Sequence, residues 1–526
     1  MKKRIAFFLI AIAVISMVPC AAITGEEASP GGFENPVLRG FHPDPSVCRV
    51  GNDFYLVTST FQYFPGLALY HSRDLVNWTP AGHCITRDEQ ADLSLATSKG
   101  GIYAPVIRYN DGTFYVITTN VSGGGNFIMT ATDPGGEWSD PIPVPVPGID
   151  PALYFEDGRC YLTYTYSDMI HLCEIDPDTG EILSDPVRIW GGTGGRYPEG
   201  PHIYRKDGWY YLLISEGGTE YGHMITIARS RTIDGPYSAN PANPILTHVF
   251  QPTQTSPVQG TGHGDFVQAG DGSWWMIFLA FRTLPGQQHH ILGRETFLAP
   301  VRWDEDAWPV VNGNGQVSLQ MDCPVLPQFP LLEPEVIADF SAGIAGPEWM
   351  FLRNPVEENY SFSGQSVRMK ASSASIDDMS VSPAFIARRQ ESMDFETSVD
   401  LKSLSGRSAE AGITIYMDVD SHYDVFVRKG DDGKMYAGIR YRLGELDHVE
   451  TAGPVCGEVT LRVDGSAESY SFSYSSDVKE FMQLGKMDTR YLSSETVGGF
   501  TGVVIGMYCT GGKGAEAEFC GFTYKD

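Results

Sequence analysis

Three acidic residues stand just ahead of β-like runs at comparable points of the chain. Asp44 lies in His42-Pro43-Asp44-Pro45-Ser46, Asp150 in Gly148-Ile149-Asp150-Pro151-Ala152, and Glu199 in Pro198-Glu199-Gly200-Pro201-His202. A single Asp before Pro is ordinary turn chemistry. Three acids at matched places of a repeat argue for a shared site. Carboxylates gathered in one polar pit repel one another, so their pKa values must separate. One can then hold a proton while another stays ionised. Cleavage of a glycosidic bond needs that pair: one carboxyl protonates the leaving oxygen and another activates water.

The elements that must position these acids also repeat. Five times the chain writes an acidic or amide residue, usually a Gly, and then an aromatic-rich β run. The copies are Asn52-Asp53-Phe54-Tyr55, Asp111-Gly112-Thr113-Phe114, Asp157-Gly158-Arg159-Cys160, Asp207-Gly208-Trp209-Tyr210 and Asp271-Gly272-Ser273-Trp274. Their spacing is about 45 to 65 residues, close to one propeller blade per repeat. In a propeller the first strand of every blade lines the axis, so residues just before each hairpin converge at one end of the channel. The sequence therefore predicts an all-β chain that begins with a five-bladed β-propeller.

Past Asp322 the texture changes. Cys323–Val336 holds four Pro in fourteen residues, a density that blocks ladders and stiffens a connector. Beyond it the β alternation resumes without the Asp-Gly-aromatic phrase, as in Ala411-Gly412-Ile413-Thr414-Ile415-Tyr416, and predicts a β-sandwich of the jelly-roll or concanavalin-like kind. The expected organisation is an export signal over 1–22, a linker over 23–33, the propeller over 34–322, a Pro-rich linker over 323–336 and the sandwich over 337–526.

Composition narrows the partners. The 526 residues carry a net charge of −28, which disfavours nucleic acid and anionic membrane surfaces. Lys2, Lys3 and Arg4 precede an apolar run from Ile5 to Val18, the pattern of an export signal rather than a membrane span. The mature chain is thus expected to be periplasmic or secreted, without a transmembrane segment, and Cys20 is placed where a lipid tether could be attached. Nine cysteines occur, read as mainly buried free thiols, and neither a C-x-x-C nor an H-E-x-x-H pattern points to zinc. The Gly-rich stretches at 122–126 and 191–195 lack the Lys-Ser/Thr of a phosphate loop and read as rims of the pit.

Set in order, the motifs resemble glycoside hydrolase family 43, which includes β-xylosidases and α-L-arabinofuranosidases. The matching stretches are FHPDPS (41–46), STFQYFPG (59–66), SRDLVNW (72–78), GGIYAP (100–105), GIDPALY (148–154), PEGPHIY (198–204), GHGDFV (262–267) and GRETFLAPV (293–301). The C-terminal region resembles the sandwich appended to family β-xylosidases. The resemblance implies an inverting mechanism with Asp44 as general base, Glu199 as general acid and Asp150 as the acid that tunes and orients Glu199. It implies Arg294 as a substrate contact, Phe61, Phe64 and Tyr103 as sugar walls, and Phe500 as a sandwich residue reaching over the mouth. His263 matches a His beside the axis, near a calcium ion or a water cluster; no cofactor is required. The implied activity is release of xylose from the non-reducing end of xylo-oligosaccharides. The alternative is α-L-arabinofuranosidase action on arabinoxylan or arabinan fragments. A non-catalytic carbohydrate-binding propeller is the rival of another class, and it would be expected to lack the base or the acid.

Overall fold

The structure, a computed structural model, describes residues 31–322, 329, 336–343, 345–372, 374–476 and 480–526. The export signal expected over 1–22, with Cys20, lies outside the described residues, as do most residues of the two linkers. Among the described residues no helix is long and apolar enough to cross a membrane.

Five antiparallel sheets of four strands succeed one another along the chain, the fourth with one additional short strand. Their first strands are Ser46–Val50, Val106–Asn110, Ile149–Glu156, Glu199–Lys206 and Val258–Gln268. Each first strand touches the first strands of its neighbours, and the fifth touches the first, so they form the ring around an axis. The Asp-Gly phrase is the turn between the first and second strands. Asp111 and Gly112 have φ of 46° and 89°, Asp157 and Gly158 51° and 74°, Asp207 and Gly208 50° and 73°. Two successive left-handed residues make the tight hairpin whose twist suits paired strands, and Asp and Gly adopt that conformation cheaply.

The ring is closed by residues far apart in sequence. Gly32–Glu34 pairs with Gln320–Asp322, and Leu38 bridges to Thr296. Ordered structure therefore reaches into the stretch expected to be linker, and Phe33 there is buried. On the axis, Asp265 of the fifth blade is fully buried and accepts from three side chains and one backbone N–H of three other blades. Arg108 Nη1 and Ser46 Oγ lie 2.8 and 2.7 Å from its Oδ2, and Tyr204 Oη lies 2.5 Å from Oδ1, with Arg108 Nη2 3.2 Å from that oxygen. The fourth donor is the backbone N–H of Val47 at 3.1 Å.

The C-terminal domain is a sandwich of a six-stranded and an eight-stranded antiparallel sheet. Phe395–Ser405 alternates buried and part-exposed residues, as a strand with one wet face must. Glu410–Asp418 is buried almost throughout, because its sheet is covered on both faces. One face meets the sandwich core; the other carries Tyr416, Phe426 and Tyr508 against Phe41 and Tyr63 of the propeller. Backbone pairing adds to this contact: Phe351–Leu352 pairs with Tyr63–Phe64. At Gly293 and Gly502 the two backbones come so close that a Cβ on Gly293 would lie 2.8 Å from the Gly502 Cα. Among the described residues Cys48, Cys84, Cys160, Cys173, Cys456, Cys509 and Cys520 are free thiols, all but Cys456 and Cys520 buried.

Removing one partner of a buried ion pair leaves the other charged and unpaired, at a typical cost of about 3–5 kcal/mol. Asp265→Ala is therefore expected to lower the unfolding free energy by about that amount, read from urea denaturation. A loss below about 1 kcal/mol would show that the ring does not depend on this carboxylate.

Candidate active site

The first strands of blades three, four and five each bulge near their start. Pairing jumps from Ile149–Thr165 to Ala152–Thr163, from Glu199–Ser215 to His202–Leu213, and from Gly262–Leu279 to Asp265–Ile277. The first residue of each bulge is left-handed: Asp150 at φ 54°, Gly200 at 58° and His263 at 46°, matched in blade one by Asp44 at 54°. A bulge re-aims side chains, and its unusual backbone is tolerated where it serves a site. The register corrects one detail of the sequence reading. Asp44 and Asp150 occupy equivalent places, whereas Glu199 stands one residue earlier, in the place of Pro43 and Ile149. The Pro that follows Asp44, Asp150 and Gly200 gives the true alignment. Glu199 consequently leaves the axis in a different direction and borders the open pocket, while both Asp side chains are buried.

The three acids do converge, in three different settings. Asp44 is held by Arg294 Nη1 at 2.8 Å from Oδ1 and Ser59 Oγ at 2.6 Å from Oδ2, with His263 Nδ1 4.0 Å from Oδ1. Burial would raise its pKa, but the Arg294 guanidinium, His263 and the Ser59 hydroxyl outweigh burial and hold the carboxyl below the usual range. Asp150 accepts the Gly200 N–H at 3.1 Å and forms no ion pair among the described residues. Burial first, then the charges of Glu199 and Asp44, push it up to about 7 against the pull of His263. Glu199 is part-exposed, and His223 Nε2 lies 3.1 Å from its Oε1. The site thus contains an ionised carboxylate, a carboxyl that keeps its proton to near neutrality, and a third carboxyl facing the pocket.

The pocket measures about 640 Å³, within the usual range for small-molecule sites. Its walls come from both domains: Tyr166, Tyr197, Tyr221 and Phe281 from the propeller, Glu495 and Phe500 from the sandwich. Phe61, Tyr103 and Phe500 pack ring against ring at 5.2 to 5.9 Å. The Arg294 guanidinium lies 5.4 Å over Phe61 and 5.5 Å over Phe500, and its Nη2 donates to the Phe500 carbonyl at 3.3 Å. Phe64 does not join this wall. It is buried in the blade-one core, and its backbone pairs with Phe351, so it serves the domain contact instead. It lies three residues after the left-handed Phe61, in a strand that pairs with the sandwich segment at Phe351.

The N-terminal domain matches the family model for glycosyl hydrolases family 43 over residues 33–309, and residues 338–525 match that for the beta xylosidase C-terminal concanavalin A-like domain. The chain belongs to glycosyl hydrolases family 43. It is 41% identical to a non-reducing end alpha-L-arabinofuranosidase of Bacteroides ovatus, covering 94% of both chains. It is 32% identical to a beta-xylosidase of Bacillus subtilis, covering 94% of this chain and 99% of the relative. Among solved structures, a xylan beta-1,4-xylosidase from Bacillus halodurans superposes with a TM-score of 0.88 at 34% identity, over 94% of this chain and 100% of that one. The protein is therefore a glycoside hydrolase, and its β-propeller and concanavalin-like sandwich are those of family 43.

Some residues of this family 43 site escaped the sequence reading. Thr219 Oγ1 accepts from Arg294 at 2.9 Å, and Glu495 accepts from Tyr221 Oη at 2.9 Å and from the His290 ring at 2.6 Å. Thr219, Tyr221 and His223 all sit in the turn between the second and third strands of blade four. Attention to the first strands alone passes over that turn. The Gly191–Gly195 rim is likewise held from this neighbourhood, by buried Glu216 accepting from Thr193 and Gly195.

If Asp44 is the base and the proton comes from the acids beside it, hydrolysis needs Asp44 ionised and a proton kept near Asp150. Because the Asp44 pKa is depressed, the acid limb of kcat/KM is expected below the ordinary Asp value of about 3.9. Because Asp150 is raised, the alkaline limb is expected near 7. Asp150→Asn removes a charge that favours the shared proton, so the alkaline limb should move to lower pH. A pH–rate profile with that limb unmoved would remove Asp150 from this role.

Proposed function

We propose that this enzyme is an exported, inverting exo-β-D-xylosidase acting on xylo-oligosaccharides. The observation that carries the reading is the electrostatic separation of the three converging carboxylates beside a pocket walled on one side by the sandwich. Asp44 accepts a proton from water as that water attacks the anomeric carbon. Glu199, bordering the pocket, gives its proton to the leaving oxygen. Asp150 shares the negative field with Glu199 and keeps a proton available to the pair. Single displacement with a water between base and acid requires the two carboxyls to stand about 6.5–9.5 Å apart. Arg294 holds Asp44 ionised and carries the sandwich's Phe500 carbonyl on the same guanidinium. The Phe500 ring, backed by Phe61 and Tyr103, supplies apolar surface against which a pentose ring can pack. Phe500 and its neighbours cover one side of the pit, which suits removal of terminal sugars over cleavage within a chain.

α-L-Arabinofuranosidase action is the second reading, favoured by the 41% identity to a relative of that name. A calcium ion beside His263 would find one imidazole and no cage of protein carboxylates, since no three His, Cys, Asp or Glu side chains group as ligands among the described residues. Calcium prefers several oxygen ligands, so such an ion would be held mainly by water.

Release of nitrophenol from the β-xyloside and the α-L-arabinofuranoside tests the specificity. The xyloside is expected to have the higher kcat/KM, and the reverse order would establish the second reading. With xylobiose, Asp44→Asn and Glu199→Gln are each expected to lose at least about a thousandfold in kcat. NMR of the first-formed sugar should give the α-anomer; β-xylose would refute inversion.

A further inference from the structure

His223 is a fully buried side chain in contact with Glu199. Its Nε2 lies 3.1 Å from Glu199 Oε1, while its Nδ1 is buried and has no partner among the described residues. The ring is fixed. It lies against Gly262 of the fifth blade so closely that a Cβ there would fall 2.1 Å from it, and the His223 N–H donates to the Glu220 carbonyl at 2.9 Å. A rigid imidazole with one nitrogen on a carboxyl and the other on nothing has one inexpensive tautomer. With the proton on Nε2, the N–H is satisfied by Glu199 and Nδ1 is a bare lone pair. With the proton on Nδ1, a buried N–H would have no acceptor, which is costly and rare.

We propose that His223 is a positioning residue for Glu199, donating Nε2–H to Oε1 and so confining the acid proton to Oε2. This rests on the general-acid reading of Glu199. In a protonated carboxyl the carbonyl oxygen accepts and the hydroxyl donates. In the reaction the Oε2–H bond breaks and an O–H bond forms on the glycosidic oxygen, which takes the electron pair of the breaking C–O bond. Asp44 receives the proton of the attacking water. Glu199 becomes a carboxylate as this happens, and the His223 hydrogen bond becomes charge-assisted and stronger. The donor therefore stabilises the transition state more than the ground state.

The test is a series of aryl xylosides of differing leaving-group acidity, assayed with wild type, His223→Leu, His223→Gln and Glu199→Ala. A weakened acid matters for poor leaving groups and little for good ones. His223→Leu is expected to lose about 10- to 100-fold in kcat/KM on the phenyl xyloside and no more than about threefold on the dinitrophenyl xyloside. His223→Gln, which keeps an N–H donor, should recover most of the loss. Equal losses on both substrates would mean a structural role and overturn the proposal. If Glu199→Ala itself shows no leaving-group dependence, the acid assignment falls and this proposal with it. If Glu199→Ala shows the dependence and His223→Leu does not, only the role of His223 falls. Should His223→Leu not fold, the ring-nitrogen NMR shifts of His223 in the native enzyme decide. A protonated Nε2 with a bare Nδ1 supports the proposal, and the opposite tautomer refutes it.

Discussion

A buried carboxylate holds the ring together. Asp265 has no exposure and no freedom: Arg108, Ser46, Tyr204 and the Val47 N–H occupy its oxygens, and they come from blades one, two and four. Such a charge is stable in the interior only when its partners are complete. That requirement fixes the rotation of four blades about the axis, and with it the relative placement of everything that hangs from their first strands. Closure by Gly32–Glu34 against Gln320–Asp322 then keeps the first and last blades from separating.

The same requirement, met differently a few residues away, separates structural from reactive acids. Asp265 and Asp150 are both buried. Asp265 has a guanidinium and two hydroxyls, and its carboxyl is driven far below the usual range; Asp150 has one backbone N–H and two nearby carboxylates, and is driven up. Asp44 lies between these extremes because Arg294 reaches it. Identity of the side chain decides little here. What the neighbouring blades offer decides whether a buried carboxyl is held ionised or keeps its proton.

Those neighbours mark the limit of what the sequence discloses. The blades were legible because three of the five hairpins turn on two left-handed residues that Asp-Gly supplies, and the other two turn on one left-handed Gly. Asp44, Asp150 and Glu199 were legible because the axis gathers residues that precede those hairpins. The one-residue offset of Glu199 was hidden by counting acids instead of prolines: the bulge places Gly200, not Glu199, opposite Asp150. Phe64 shares a motif with Phe61 but leaves its bend on the other side, a matter of backbone direction that motif matching does not carry. His223 was missed because it belongs to a second-to-third-strand turn, and only the folded blade carries that turn beneath Glu199.

The sandwich belongs to the same electrostatic unit. Arg294 donates to Asp44 through Nη1 and to the Phe500 carbonyl through Nη2, so one guanidinium joins Asp44 to the second domain. Gly293, next to Arg294, and Gly502, two residues from Phe500, permit the backbone approach that makes this reach possible. A side chain at either glycine would push apart the two segments that orient the guanidinium. Displacing the sandwich would then take away part of the pocket wall and also loosen the cation that keeps Asp44 ionised. The accessory domain thus touches the cation that lowers the Asp44 pKa as well as the wall of the pit, and its contact with the propeller is built from backbone pairing and buried rings.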